Sequence, residues 1–120
     1  MSSDLDALTR VVYGEARNQS DEGQRAVAWV VINRTKKSNK SIKEEATKKY
    51  QFCCYSGDMK EENARQKAKS IAKDAIDGRS QDPTGGATHF CSTSLEDPWG
   101  VSPCITIGNH KFYKGIAPYK

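Results

Sequence analysis

One carboxylic acid, Glu15, stands where an apolar helical pattern ends. The apolar residues before it recur at helical spacing, at Leu5, Leu8, Val11 and Val12. Gly14 allows the backbone to approach a neighbour closely or to change direction. Near the inner end of an apolar helix, loss of water would favour the protonated carboxyl, which a general acid needs. The alternative is a solvated or capping carboxylate, because most glutamates are simply exposed.

Glu22 is a second carboxylate of interest, near the start of the next apolar segment. Its position suits an N-terminal helix residue that interacts with the helix dipole. It is also compatible with the border of a cleft that contains Glu15. The sequence leaves both roles open.

The helical pattern predicts four helices in the first two thirds of the chain. Their expected ranges are 3–14, 20–34, 41–49 and 64–76. The second begins at a Ser20 cap and is apolar on most sides, so it is predicted to be the central helix of the core. We expect Asn33 and Arg34 to close it and to hydrogen-bond to neighbouring loops. Gly78 is expected to end the fourth helix.

The last third of the chain has strand character. The segment 87–92 alternates, with Thr88, Phe90 and Ser92 on one face and His89 and Cys91 on the other. The strands 105–107 and 111–113 are joined by Gly108-Asn109-His110, a hairpin signal that leaves His110 exposed in the turn. The predicted fold class is therefore α+β, a helical lobe with a small antiparallel β-sheet in the C-terminal part, and a groove between them.

The 120 residues predict one domain, 1–120, with one modest core. The composition, 36% hydrophobic and 28% charged, is that of an ordinary globular protein. No apolar run is long enough to cross a bilayer, and we expect a monomer with no membrane partner. The first residues lack a basic start and an apolar run, so no signal peptide is predicted. Export by another route and removal of a leader both remain open.

The net charge of +4 is concentrated in the basic stretch 34–49. A solvated surface explains it, and weak attraction to an anionic polymer is the functional alternative. A nucleic-acid-binding protein is not favoured, because no aromatic residue is interleaved among these lysines between residues 36 and 49.

Four cysteines and two histidines show no metal-ligand spacing, so neither a metal nor another cofactor is predicted. The cysteines are Cys53, Cys54, Cys91 and Cys104. Free thiols are one possibility. Disulfides that join Cys53 or Cys54 to Cys91 or Cys104 are the other, since adjacent cysteines do not have the separation that a disulfide needs.

Several short blocks then occur in a characteristic order. They are Tyr13-Gly14-Glu15-Ala16-Arg17, Glu22-Gly23-Gln24, the run 26–34, Gln51-Phe52, Pro83-Thr84-Gly85-Gly86-Ala87 and the run 107–113. This ordered set resembles the cell-wall hydrolases of the SleB/CwlJ type, the spore-cortex-lytic enzymes and their phage and bacterial relatives. The resemblance covers about residues 8 to 113. It implies a fold similar to lysozyme and the lytic transglycosylases.

The resemblance also implies an activity and a set of site residues. It assigns the catalytic acid to Glu15 and matches no second carboxylate, and Asp58 and Asp97 fall in loops outside the blocks. One carboxyl fits a lytic transglycosylase that cleaves the MurNAc–GlcNAc bond of peptidoglycan. The expected site of action is the cell wall, reached outside the cell, in the periplasm or on lysis. The candidate substrate-binding residues are Tyr13, Glu22, Gln51, Phe52, Gly85, Gly86 and His89.

Some of these roles have alternatives. Tyr13 either orients the acid or belongs to the core, and Trp99 either stacks on a sugar ring or packs its loop. A hydrolytic muramidase of the same fold and an inactive peptidoglycan-binding module remain alternatives to the transglycosylase.

Overall fold

The computed structural model describes residues 2–48 and 57–120 of the chain. In these ranges four helices come first, α1 (Ser3–Ala16), α2 (Asp21–Ser38), α3 (Ile42–Ala46) and α4 (Glu62–Ile76). Three strands follow, β1 (His89–Ser92), β2 (Ile105–Ile107) and β3 (His110–Tyr113). The strands form one antiparallel sheet in the order β1-β3-β2. The α+β class and the order of its parts are confirmed.

Serine side chains fix the starts of the first three helices. Ser2 Oγ accepts from the backbone N–H of Leu5 at 3.1 Å, and Ser20 Oγ accepts from that of Gly23 at 3.2 Å. Ser41 forms a reciprocal capping box with Glu44. A side-chain oxygen here satisfies a backbone donor that the helix leaves unpaired. The Ser20 cap was predicted. For the first helix we expected Ser3 or Asp4 as the cap, and Ser2 is the cap instead.

Helix α2 is the centre of the core, as predicted. It contacts the other three helices and the strands β1 and β2. Its valines at positions 27, 30 and 31 are fully buried. It runs to Ser38, however, and ends at Asn39 in a left-handed conformation with φ of 60°. The prediction that Asn33 and Arg34 close the helix was wrong.

Asn33 and Arg34 lie inside α2 because their polar side chains are buried against the start of β1. Asn33 Nδ2 donates to the Ala87 carbonyl at 2.9 Å, and Arg34 Nε donates to the Thr88 carbonyl at 2.6 Å. Buried polar groups are tolerated when they are hydrogen-bonded. The expected bonds to a neighbouring segment are therefore confirmed, although the helix continues past them.

Helix α4 packs through a small-residue face. Ala68, Ala72 and Ala75 are buried, and Gly78 follows the helix with a φ of 72°. Small side chains permit a close approach to α1 and α2, which α4 contacts. Within residues 2–48 and 57–120, we find no helix of the length and apolarity needed to cross a membrane.

The hairpin between β2 and β3 differs from the prediction by one residue. Ile107 pairs directly with His110, so the turn is Gly108-Asn109 and His110 belongs to the strand. Side chains alternate along a strand, and His110 therefore lies on the same face as Phe112. We call this face, which includes Phe90, the inner face. The opposite side, with His89, Cys91, Lys111 and Tyr113, is the outer face.

Candidate active site

Glu15 lies in the last turn of α1 with a half-buried side chain. The helix continues through Gly14 to Ala16, so the change of direction considered at Gly14 does not occur. The neighbours Tyr13 and Ala16 are buried in the core. Glu15 thus projects from the end of a rigid, packed helix, which is the position expected for an acid that must keep its geometry.

His110 lies on the inner face of the sheet, within reach of the charge of Glu15. The His110 ring is half-buried and meets the rings of Phe90 and Phe112 edge-on, with centroids 5.1 and 6.2 Å apart. Burial lowers the pKa of His110 below its usual value, and the negative charge of Glu15 acts in the opposite direction. The prediction of an exposed His110 was wrong, because the strand begins one residue earlier than expected.

Gln19 joins the end of α1 to the hairpin turn. Its Oε1 accepts from the backbone N–H of Asn109 at 3.1 Å. Gly108 has a φ of 57°, and a Cβ there would collide with the same Gln19 oxygen. Gln19 is itself held, because Gln24 Nε2 donates to its carbonyl at 3.3 Å. These contacts fix the hairpin, and with it His110, beside the helix end that carries Glu15.

Tyr13 and Arg17 face a different neighbour, the start of α4. The Tyr13 hydroxyl accepts from the backbone N–H of Glu61 at 3.1 Å, and Arg17 Nε pairs with Glu61 Oε2 at 2.7 Å. The Arg17 guanidinium also lies over the Tyr13 ring, 5.0 Å from its centroid. Tyr13 therefore belongs to the α1–α4 interface, and its contact with substrate stays a prediction.

The glycine loop before β1 is organised by Asp82. Its carboxylate accepts from the Thr84 backbone and hydroxyl at 2.8 and 2.7 Å, from the Gly86 backbone at 2.8 Å and from Asn33 Nδ2 at 2.8 Å. Gly85 and Gly86 have φ values of 67° and 108°, which side chains rarely permit. The loop is rigid and anchored to α2, and the role of these glycines toward sugar stays a prediction.

His89 is buried, 6% exposed, on the side of the sheet away from His110. Its Nδ1 lies 3.0 Å from Thr88 Oγ1, and its ring meets Trp99 and Tyr119 edge-on. Burial and then the charge of Arg34 lower its pKa from 6.5 to about 4. The structure does not bring His89 together with Glu15, and its role as a subsite residue stays a prediction.

The remaining predicted residues are dispersed. Glu22 is exposed in the first turn of α2, as a residue that interacts with the helix dipole would be. Trp99 is 37% exposed, and its ring edges contact His89 and Tyr113. Gln51 and Phe52 lie outside the described residues.

The cysteines of the described part are free thiols. Cys91 is half-buried beneath the Tyr113 hydroxyl, and Cys104 is exposed. Cys53 and Cys54 lie outside the described residues. Within residues 2–48 and 57–120 we find no group of three or more His, Cys, Asp or Glu side chains that could hold a metal ion.

Sequence reasoning missed three contributors to this arrangement, namely His110, Gln19 and Asp82. Gly-Asn is a strong two-residue hairpin signal, and it would have placed His110 in the strand. Asp82 precedes Pro83 by one residue and Gly85-Gly86 by three, which is typical of an aspartate that binds the backbone of its own turn. Nothing in the local sequence of Gln19 points to a contact with residue 109.

The sequence profile of the Cell Wall Hydrolase family matches residues 18–113. The chain belongs to this family. The matched range covers most of the chain and begins at residue 18, so it does not include Glu15. Enzymes of this family act on peptidoglycan.

Individual relatives of this cell wall hydrolase agree with the family. A spore cortex-lytic enzyme of Halalkalibacterium halodurans is 28% identical over 115 residues, which is 92% of this chain and 34% of that protein. The chain thus spans about a third of the length of that curated relative.

Two solved structures share the fold. The catalytic domain of the Bacillus cereus SleB protein matches with a TM-score of 0.75 and 27% identity, over 93% of this chain and 90% of that one. The catalytic domain of the germination-specific lytic transglycosylase SleB from Bacillus anthracis matches with a TM-score of 0.77 and 26% identity, over 95% and 96%. The fold is that of a SleB catalytic domain, which is lysozyme-like, as predicted.

Proposed function

We propose that this chain cleaves the MurNAc–GlcNAc bond of peptidoglycan as a lytic transglycosylase, with Glu15 as the single acid and base. The observation that carries the proposal is the position of Glu15, half-buried at the end of a packed helix and within electrostatic reach of His110 in the sheet. The structural similarity to a protein described as a lytic transglycosylase supports the same reaction.

Three other carboxylates of the described residues are held in structural contacts. Glu61 pairs with Arg17, Asp82 is held by the glycine loop, and Asp97 accepts from Tyr113 on the outer face. Direct hydrolysis usually needs two carboxyl groups on either side of the bond. A mechanism that uses a single carboxyl group agrees better with these contacts.

The proposed reaction balances without water. The Glu15 carboxyl donates its proton to the bridging oxygen, the bond from that oxygen to the MurNAc anomeric carbon breaks, and GlcNAc leaves with its hydroxyl restored. The resulting carboxylate then takes the proton of the MurNAc C6 hydroxyl, whose oxygen attacks the anomeric carbon. The product is 1,6-anhydro-muramic acid, and Glu15 is again protonated.

Digestion of purified sacculi by wild type and Glu15→Gln tests this proposal, with mass spectrometry of the soluble muropeptides. We expect anhydro-muropeptides from wild type and a loss of about 10²- to 10⁴-fold in the variant, the usual contribution of a positioned acid. Unchanged melting temperatures would show that the loss is chemical. Products with only reducing ends would instead identify a muramidase, and equal release by both proteins would remove Glu15 from the mechanism. Release by neither, with retained binding to sacculi, would indicate a binding module.

A further inference from the structure

A cavity of about 410 Å³ lies where the first half of α2 meets the end of α4. Five of its six lining residues are polar or charged, and the six are Arg25, Ile71, Asp74, Arg79, Ser80 and Gln81. None of the six belongs to the candidate active site. Cavities of this size hold small ligands, and a lining of this kind indicates a polar one.

The charged side chains of this cavity are not paired with one another. In the described part of the chain, the guanidiniums of Arg25 and Arg79 and the carboxylate of Asp74 take part in no ion pair or side-chain hydrogen bond. The carboxylates next to the arginines in sequence are held by lysines: Asp21 by Lys67 at 2.8 Å and Asp77 by Lys73 at 2.9 Å. Three charged groups therefore line one space and leave their hydrogen-bonding positions to a ligand or to water.

The end of α4 fixes the wall that carries Arg79. Gly78 follows the helix with a φ of 72°. The backbone N–H of Arg79 donates to the Asp74 carbonyl at 2.8 Å, and that of Gly78 donates to the Ala75 carbonyl at 3.3 Å. This pair of bonds is the Schellman arrangement of a helix C-terminus. The backbone of Arg79 is therefore held against the helix turn that carries Asp74.

Trp29 attaches the same wall to α2. Its Nε1 donates to Ser80 Oγ at 3.1 Å. Trp29 lies one helical turn after Arg25 and therefore on the same side of α2. The two guanidiniums thus come from two elements that are bonded to each other beside the cavity. A site built in this way loses little freedom when it binds a ligand.

The three charges select the class of ligand. A guanidinium binds a carboxylate or a phosphate through paired N–H donors. A carboxylate in the same cavity repels a phosphate dianion and attracts an ammonium group. Ile71, 8% exposed, offers an apolar contact between the charged groups. The lining therefore matches a short aliphatic chain that carries both carboxylate and ammonium groups.

We propose that this cavity binds the stem peptide of peptidoglycan through a diamino acid whose side chain ends in a carboxylate and an ammonium group. Arg25 and Arg79 bind carboxylate oxygens, and Asp74 binds the ammonium group. The stem peptide as the source of these groups rests on the proposed function, whereas the charge pattern does not. Gln81 directly precedes Asp82, which organises the glycine loop, so the peptide site adjoins a loop that is predicted to meet the sugar.

Titration with soluble tripeptides tests the site without catalysis, by backbone NMR shifts. The probe L-Ala-γ-D-Glu-meso-diaminopimelate has a carboxylate beside its side-chain ammonium group, and the same tripeptide with L-lysine lacks that carboxylate. We expect saturable shifts around Arg25 and Ser80. The diaminopimelate peptide should bind about 10-fold or more tightly, the scale of one hydrogen bond to a charged group. Equal affinities, or no saturable shift up to about 10 mM peptide, would overturn the proposal.

Charge variants identify the groups that bind. Arg25→Gln and Arg79→Gln should each weaken the diaminopimelate peptide by about 10-fold, whereas Lys37→Gln, which removes an exposed charge of α2 outside the cavity, should not. Asp74→Asn should weaken the peptide and strengthen inorganic phosphate, because the partner of the ammonium group and the repulsion of phosphate are lost together. An equal loss in Lys37→Gln would show a general attraction between charges and contradict the site. Phosphate that binds wild type more tightly than the peptide does would contradict it as well.

The Glu15→Gln variant separates this inference from the proposed function. Glu15 does not line the cavity, so the variant should bind the tripeptide as wild type does. If Glu15→Gln is inactive on sacculi and neither protein binds the tripeptide, the proposed function stands and the peptide site is wrong. If both proteins bind it and release muropeptides equally, the peptide site stands and the assignment of Glu15 is wrong.

Discussion

The two faces of the small sheet each carry one of the chain's two histidines, and the surroundings of the two differ. His110 on the inner face has an unpartnered Nδ1 and the carboxyl of Glu15 nearby. His89 on the outer face has a partner at Thr88 and the guanidinium of Arg34 nearby. Burial lowers the pKa of both, and only the neighbouring charge differs in sign. The two faces therefore give their histidines different electrostatic surroundings.

Next to His89, buried side chains from α2 and α3 form a polar network with Tyr119. Arg34 is 3% exposed and Glu45 is fully buried, and the Tyr119 hydroxyl donates to Glu45 at 2.6 Å while its ring lies under the Arg34 guanidinium. Arg34 also donates to the Thr88 carbonyl beside His89. This network ties α2 and α3 to the start of the sheet, so its removal should affect folding more than catalysis.

The largest expected effect on stability is therefore at Arg34. Arg34→Met removes a buried charge, takes the nearby positive charge away from the buried Glu45 and deprives the Thr88 carbonyl of its donor. We expect a loss of about 3 kcal/mol or more in the free energy of unfolding, measured by urea denaturation. The exposed Arg79→Met is the matched control and should change stability by about 0.5 kcal/mol or less. Similar losses in both would contradict a stabilising role of the buried network.

The next effect concerns pH. Because the pKa of His89 is about 4 when folded and 6.5 in the unfolded reference, the unfolded chain binds more protons between these values. Stability should then fall as the pH drops from about 6.5 to about 4, by roughly 2–3 kcal/mol from this residue. His89→Gln should flatten that part of the curve of unfolding free energy against pH. Parallel curves for wild type and variant would show that His89 is not buried in its neutral form.

The smallest expected effect compares two glycines, one in the hairpin that Gln19 holds and one in the loop after Trp99. Gly108 and Gly100 have positive φ values of 57° and 72°, but a Cβ collides with Gln19 only at Gly108, whereas space is open at Gly100. We expect Gly100→Ala to cost about 1 kcal/mol from backbone strain alone, and Gly108→Ala to cost about 2 kcal/mol. At temperatures where both are folded, only Gly108→Ala should reduce activity, because it displaces the hairpin beside Glu15. Equal activities would mean that the Gln19 contact does not position the site.

Much of the fold followed from local patterns. The apolar periodicity of α1, α2 and α4 and the strand alternation at 89–92 were predicted because a helix or strand with one buried face must repeat at its own period. The segregation of Phe90 from His89 onto opposite faces was likewise predictable. The position of Glu15 at the end of a buried helix was expected from the same periodicity.

The errors arose where a distant contact overrides the local signal. Asn33 and Arg34 look like the polar end of a helix, and only their bonds to Ala87 and Thr88 explain why α2 continues. From the sequence alone, His110 looks like a turn residue. The pairing of Ile107 with His110 places it in the strand instead. A shift of one residue in the register moves every side chain of a strand to the opposite face. Tyr13 adjoins Glu15 in sequence, yet its hydroxyl is bound to Glu61 across 48 positions.

The hydrogen bonds of Asp82 also bear on the chemical lifetime of the chain. Asp82 precedes Pro83, and an Asp–Pro peptide bond breaks in acid when the side-chain carboxyl attacks its own main-chain carbonyl. Here both carboxylate oxygens are occupied by donors from Asn33, Thr84 and Gly86. Attack would require rotation away from all of them. The contacts that shape the glycine loop therefore also protect the backbone from scission while the protein is folded.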